Sequence, residues 1–223
     1  MNRTIHFAKL DYLTIKPYMT FKNLIIIVIV MIFFGYSSGP AMPIGMLMMY
    51  STIYASYPFA VGDKNGIDTL YATLPITRKS IVTGRYIFTI SLNLITGLAS
   101  FALSYLMATI FKKEFIMVEI LGTLLLCFAI FTIFEFVQLP IFFKLGYAKA
   151  KFLAYLPLLA FSGIVMAVFT MIGKETIVPL TLNIINWIGQ NLLLAILIAL
   201  TIWFILLLTS IMISDKCYNK REF

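Results

Sequence analysis

The stretch Gly62-Asp63-Lys64-Asn65-Gly66-Ile67-Asp68-Thr69-Leu70-Tyr71-Ala72-Thr73-Leu74-Pro75-Ile76-Thr77-Arg78-Lys79 joins two long apolar runs, residues 23–62 and 86–111, that contain no Asp, Glu, Lys or Arg. Within it Ile67, Leu70, Tyr71 and Leu74 recur at i, i+3, i+4 and i+7, the spacing of one helix face, and Pro75 removes the donor needed to continue. Thr77 is placed to cap a new helix carrying Arg78, Lys79 and Arg85 before the chain turns wholly apolar. The short amphipathic helix is either a contact element for another protein or a connection resting on a membrane surface.

The flanks decide the setting. Hydrophobic residues make up 61% of the chain and charged residues 12%, outside the range of a soluble domain. A membrane-spanning helix needs about 20 apolar residues, so residues 23–61 hold two, separated where Ser37-Ser38-Gly39-Pro40 breaks the run. Further spans are predicted at 78–111, 116–142 with Glu135 inside, 152–172 and 192–213. The fold expected is an all-α polytopic membrane protein of six spans, because the alternation of a membrane barrel is missing and backbone groups in lipid must otherwise be satisfied within helices.

Basic residues orient it. Arg3, Lys9, Lys16, Lys22, Lys64, Arg78, Lys79, Arg85, Lys144, Lys149, Lys151, Lys216, Lys220 and Arg221 fall on one side of this topology, leaving Lys112, Lys113 and Lys174 on the other. Positive segments stay cytoplasmic, so both termini and the loop at 62–77 are expected inside. The formal net charge of +8 is then topology rather than nucleic-acid binding.

Ile5, Ala8, Tyr12 and Ile15 can share one face of an N-terminal helix that Pro17 ends, with Asn2, His6, Lys9 and Lys16 on another. Residues 1–17 are expected to lie on the inner leaflet rather than to be cleaved as a signal peptide; a basic tail without fixed structure is the alternative. Cys127 within a span and Cys217 in the tail cannot meet, so no disulfide is expected. Catalytic and metal sites find no support: His6 is the single histidine, and Gly173-Lys174 lacks the rest of a phosphate-binding loop. The chain is not expected to hydrolyse nucleotide itself.

The segment from Asp63-Lys64-Asn65-Gly66-Ile67-Asp68-Thr69-Leu70 to Leu74-Pro75-Ile76-Thr77-Arg78 resembles the loop of ABC-2-type exporter permeases. In these, an acidic-basic-Gly entry, a Thr/Leu-rich short helix and a Leu-Pro-x-Thr/Ser-Arg exit join the second and third spans. Gly66-Ile67-Asp68-Thr69-Leu70 departs from the commoner Gly-Thr-Leu-Glu form. Short permeases of this kind are similar to the phenol-soluble modulin exporters of Gram-positive bacteria. The resemblance implies a coupling helix over 64–74 docked in a groove of a separate ATP-binding subunit, through Lys64, Asn65, Gly66, Ile67, Asp68, Leu70, Tyr71, Leu74 and Pro75. It implies an N-terminal elbow helix, short external helices within 173–191, and a location in the bacterial plasma membrane. It implies a dimer with itself or a related permease, two ATP-binding subunits holding ATP and Mg, and an amphipathic peptide cargo. Export of a lipid or hydrophobic drug is the alternative within this class, and a scaffold or ion-coupled transporter without an ATPase the alternative outside it.

Two features bear on a pathway. Met46, Tyr50, Tyr54 and Tyr57 lie near one face of the second span, as an adaptable wall for cargo or as ordinary helix packing. Glu135, a carboxylate inside a span, either attracts a basic cargo or pairs with a basic side chain near the inner end.

Overall fold

A computed structural model describes residues 3–66, 77–171, 179 and 187–221, and all regular structure among them is helical. The helices are α1 (Arg3–Ile15), α2 (Phe21–Ser38), α3 (Met42–Ala55), α4 (Tyr57–Asn65), α5 (Arg78–Ile110), α6 (Met117–Leu145), α7 (Tyr147–Met171) and α8 (Leu192–Asn219). Among the described residues, four are long and apolar enough to cross a membrane: α2, α5, α6 and α8. The expected count of six is not reached on these terms.

The second predicted span is where the difference is clearest. α3 stops after 14 residues and α4 restarts at Tyr57. Pro58 has no N–H to offer the Tyr54 carbonyl four residues back, so the ladder fails there; the Ser56 amide turns to the Ile53 and Tyr54 carbonyls, and its hydroxyl also donates to that of Ile53, at 2.7 Å. α4 then takes in Gly62, Asp63, Lys64 and Asn65, which the sequence reading assigned to the loop. It ends at Gly66 in the left-handed region (φ 63°). Lys64 and Asn65 thus close one helix rather than opening the next. Thr77 caps α5, its side chain accepting the Ser80 amide at 3.3 Å. Ile67, Asp68, Leu70, Tyr71, Leu74 and Pro75 lie outside the described residues, as does most of 173–191.

α5 is the axis of the bundle, packing on α1, α2, α3, α6 and α8. Its 33 residues extend about 50 Å at 1.5 Å per residue, against a hydrocarbon layer of about 30 Å. The best-packed core lies at the basic end of the bundle. There Phe7, Phe59, Ile81, Val82, Tyr86, Phe136, Phe142, Phe143 and Tyr218 form one buried cluster. Away from that end α8 buries none of its apolar window and α2 only 12%, as expected of faces solvated by lipid.

α1 is part of this core. Phe7, Ala8, Asp11 and Ile15 are buried and Tyr12 half-buried, whereas Ile5 is 61% exposed and Leu13 54%. The face expected to carry Ile5 is therefore rotated: positions 7, 8, 11 and 15 meet the protein, and Ile5 and Leu13 remain outward. Gly84 permits the close approach, since a Cβ there would sit 3.0 Å from both the Phe7 Cβ and the Thr4 carbonyl oxygen. The Tyr12 hydroxyl donates to Ser91 Oγ at 3.0 Å, and its ring meets Phe88 edge-on.

At the centre of this contact Arg85 Nε lies 3.8 Å from Asp11 Oδ2, both side chains almost fully buried. The guanidinium sits 3.9 Å above the Phe59 ring and 5.6 Å from that of Phe143. Carboxylate on one side and aromatic faces on the other compensate a charge removed from water. Arg85, which the sequence places with Arg78 and Lys79 at the basic start of α5, is a core residue. Breaking a buried pair from one side costs about 3–5 kcal/mol. Arg85→Ala should lower the thermal midpoint of the detergent-purified chain sharply, and adding Asp11→Ala should cost much less than the sum of the two single changes.

Candidate functional site

Two places gather polar side chains with geometry that can do work. The first is the basic end, around the loop leaving Gly66 and returning at Thr77. Arg78 Nη1 donates to the carbonyls of Tyr218 at 3.1 Å, Asn219 at 2.8 Å and Arg221 at 3.4 Å. The carbonyls of Tyr218 and Asn219 lie in the last turn of α8, where a cation is also favoured by the helix dipole. Asp63, on the last turn of α4, accepts the Ala148 amide at 2.9 Å and pairs with Arg221 at 3.2 Å. The N-terminal turn of α7 and the end of α8 are therefore both fastened to the helices that carry the loop.

Gly146 sits in the elbow of this arrangement with φ at +73°, where a Cβ would lie 2.7 Å from Arg221 Nη2 and 3.0 Å from Asp63 Oδ2. Only glycine tolerates both the backbone angle and the space.

The second place lies between α2, α3 and α5. A cavity of about 240 Å³ is lined by Ile27, Met31, Leu47, Tyr50, Tyr54 and Leu103, and Ser51 forms part of its wall. An adjoining groove of about 220 Å³ shares Tyr50 and Tyr54 and adds Tyr57 and Asn23. The rings of Tyr54 and Tyr57 meet at 5.0 Å, and Tyr57 meets Tyr18 at 5.2 Å. Of the predicted wall, Tyr50, Tyr54 and Tyr57 come together; Met46 is half-buried and lines neither space.

Glu135 is 1% exposed on α6. Its Oε2 accepts from Asn93 Nδ2 of α5, and Asn93 Oδ1 accepts from Ser51 Oγ of α3. The Thr52 hydroxyl lies beside the carboxylate but donates to the Met48 carbonyl at 3.2 Å. Among the described residues Glu135 forms no ion pair. It does not pair with a basic side chain at the inner end there; it anchors a three-helix hydrogen-bond chain. Glu135 Oε1, Gln138 Nε2 and Thr89 Oγ1 are buried with no hydrogen-bond partner among the described residues. Because α5 and α6 run antiparallel, Thr89 and Gln138 stand one turn nearer the basic end than Asn93 and Glu135.

Asn93, Ser51 and the Asp63, Arg78 and Arg221 links were absent from the sequence reading. A signal for the first was present. Arg85, Thr89, Asn93 and Gly97 recur every four residues in an apolar span and continue through Ser100 and Ser104, all buried. That period marks a polar seam facing protein rather than lipid.

A helical bundle with lipid-facing α2 and α8, a buried polar seam and a fastened loop base defines a multi-pass membrane protein. The sequence matches the model of the family described as ABC-2 family transporter protein over residues 7–219, and the chain belongs to that family. Membership makes it the membrane permease subunit of an ABC exporter, partnered by ABC ATP-binding subunits. No curated protein and no solved structure matches it.

Gly146→Ala should displace Arg221 from Asp63. The expected outcome is loss of transport at near-normal ATP hydrolysis by the assembled complex, with a thermal midpoint within a few degrees of the parent.

Proposed function

We propose that this chain exports amphipathic peptides across a bacterial plasma membrane, as one of two permease subunits joined to two ATP-binding subunits. Six spans carry it, α3 with α4 acting as the second and α7 as the fifth. The basic end faces the cytoplasm, in keeping with fourteen of 17 Lys and Arg residues on that side. α1 serves as an elbow, its buried face on α5 and its outward Ile5 and Leu13 in the inner leaflet beside Lys9 and Lys16.

The observation that carries the reading is the fastening of both ends of the 66–77 loop, within the family assignment. In this account Lys64, Asn65, Gly66, Ile67, Asp68, Leu70, Tyr71, Leu74 and Pro75 dock on an ATP-binding subunit. Closure of the ATPase pair, with ATP and Mg held there, pushes the N-terminus of α5. Arg78 passes the displacement to α8, and Asp63 passes it to α7. A rigid helix of about 50 Å carries it outward. Tyr50, Tyr54 and Tyr57, with an apolar cavity behind them, suit a cargo having both greasy and polar parts. Residues 173–191 would close the outer mouth.

Anchoring side chains at the centre of an interface contribute about 2 kcal/mol or more each, roughly 30-fold in Kd. Leu70→Asp with Tyr71→Asp should therefore abolish co-purification of the ATP-binding subunit and peptide export, while the permease still inserts. Retained co-purification and export would refute the docking assignment. Stimulation of the complex's ATPase by a lipid or hydrophobic drug but by no amphipathic peptide would replace the cargo.

A further inference from the structure

Three concavities that begin at the basic end share lining residues and differ in chemistry. The cavity between α2, α3 and α5 holds about 240 Å³ and is apolar, with Val28, Met31, Leu47, Ala99 and Leu103 in its wall. Along α2 it runs from Thr20 to Met31, which is about 17 Å at 1.5 Å per residue. The hydrocarbon of one leaflet is about 15 Å deep, half of a core of about 30 Å. The cavity therefore starts at the basic end and reaches as far as one leaflet does.

Two wetter spaces flank it. Tyr50 and Tyr54 are shared with the groove of about 220 Å³ that Asn23 and Tyr57 complete, and this groove presents polar as well as apolar surface. The hydroxyls of Tyr50, Tyr54 and Tyr57 make no hydrogen bond among the described residues, so each keeps a proton to donate. Met19 is shared with a third space of about 340 Å³ beside α1, lined also by Lys9, Leu13 and Lys16. Lys9 and Lys16 are exposed and have no ion-pair partner among the described residues. Tyr18, two residues past Lys16, meets the Tyr57 ring at 5.2 Å, which makes the lysines and the tyrosine groove neighbours. An apolar slot one leaflet deep, hydroxyl donors beside it and two unpaired cations at its mouth match an acyl chain, its ester oxygens and a phosphate.

We propose that these three spaces form a binding site for one anionic glycerophospholipid of the leaflet at the basic end. An acyl chain fills the cavity, the ester and phosphate oxygens accept from Tyr50, Tyr54 and Tyr57, and Lys9 and Lys16 offset the headgroup charge. Charge complementarity and the depth of the slot select this occupant: the cavity wall offers a soluble anion nothing to hold, and the lysines repel a cation. The site shares its tyrosines with the peptide-export reading but does not rest on it, since the lipid fills the pocket while no cargo is present. Only 12% of the apolar window of α2 is buried by protein. The bound lipid supplies that helix with packing that its protein neighbours do not, and it joins α1 to α2 and α3.

The test needs neither an ATPase nor a peptide. The full-length chain is delipidated in detergent, and binding of palmitoyl-oleoyl phosphatidylglycerol and of the matching phosphatidylcholine is measured by native mass spectrometry. The two lipids share their chains and differ in net charge. Two lysines beside an anionic lipid should favour phosphatidylglycerol roughly 30-fold, with one such lipid held per chain. Lys9→Gln with Lys16→Gln should bring the two affinities to within about threefold. Lys149→Gln with Lys151→Gln, also exposed at the basic end, should leave the preference intact. Ala99→Phe fills the cavity and, by excluding methylene groups, should weaken both lipids about tenfold; Leu47→Trp carries this arm if Ala99→Phe fails to elute as a single species. A preference that survives the changes at Lys9 and Lys16, or that is lost as fully with those at Lys149 and Lys151, would overturn the site. So would unchanged lipid binding in the cavity-filling variant. Equal affinities in the parent would overturn it too, leaving at most a pocket for apolar molecules. A preserved preference in the parent together with no peptide transport by the assembled complex would retire the peptide reading and leave the lipid site standing.

Discussion

Burial of Arg85 against Asp11 organises the basic end of this molecule. A guanidinium cannot be left alone inside a protein, and this one is held between a carboxylate from α1 and the rings of Phe59 and Phe143 from α4 and α6. Four helices are therefore tied at one point. Gly84, one residue away, lets α1 approach closely enough for the contact to form. The aromatic cluster around Phe7, Phe142 and Tyr218 is the apolar surround in which that pair is sealed. Helices otherwise solvated by lipid gain little from apolar association, so a polar tie inside a tightly packed end gives the bundle its register.

α5 connects that end to everything else. Its seam of Arg85, Thr89, Asn93, Gly97, Ser100 and Ser104 faces protein along the length of the helix. The loop joins its N-terminus, where Arg78 holds the α8 carbonyls, and halfway along it Asn93 joins α3 to α6 through Ser51 and Glu135. A displacement imposed on α5 is thus shared by α1, α3, α6 and α8. For an ABC-2 family permease this continuity matters because the energy source is a separate subunit, and packed interfaces shift between discrete arrangements rather than deforming smoothly.

Parts of the fold were legible because they depend on local chemistry. Thr77 as a cap, the break at Ser37-Ser38-Gly39-Pro40 and the apolar character of the spans follow from residue type and spacing. The α3–α4 break was not read, although Pro58 announced it, because the apolar run continues unbroken across it. The rotation of α1 was missed for a different reason. Two apolar faces compete on that helix, and the winner is chosen by Asp11, which has meaning only once Arg85 is opposite. Glu135 was recognisable as out of place, but its partners were not, since Asn93 lies 42 residues away on another helix.

The amino-acid sequence by itself determined that this is a helical membrane protein and which of its segments are basic, because hydropathy and charge act over a few residues, and the resemblance of its loop at 62–77 pointed to the ABC-2 family to which the chain belongs. Only the tertiary structure decided that Arg85 is a core residue, that Asp63 and Arg78 fasten the loop base to α7 and α8, and that Glu135 is directed through Asn93 to Ser51 at a cavity wall. Each of these depends on side chains far apart in sequence, and the cost of burying a charge or an unpaired polar group selects the partners only when the helices have come together.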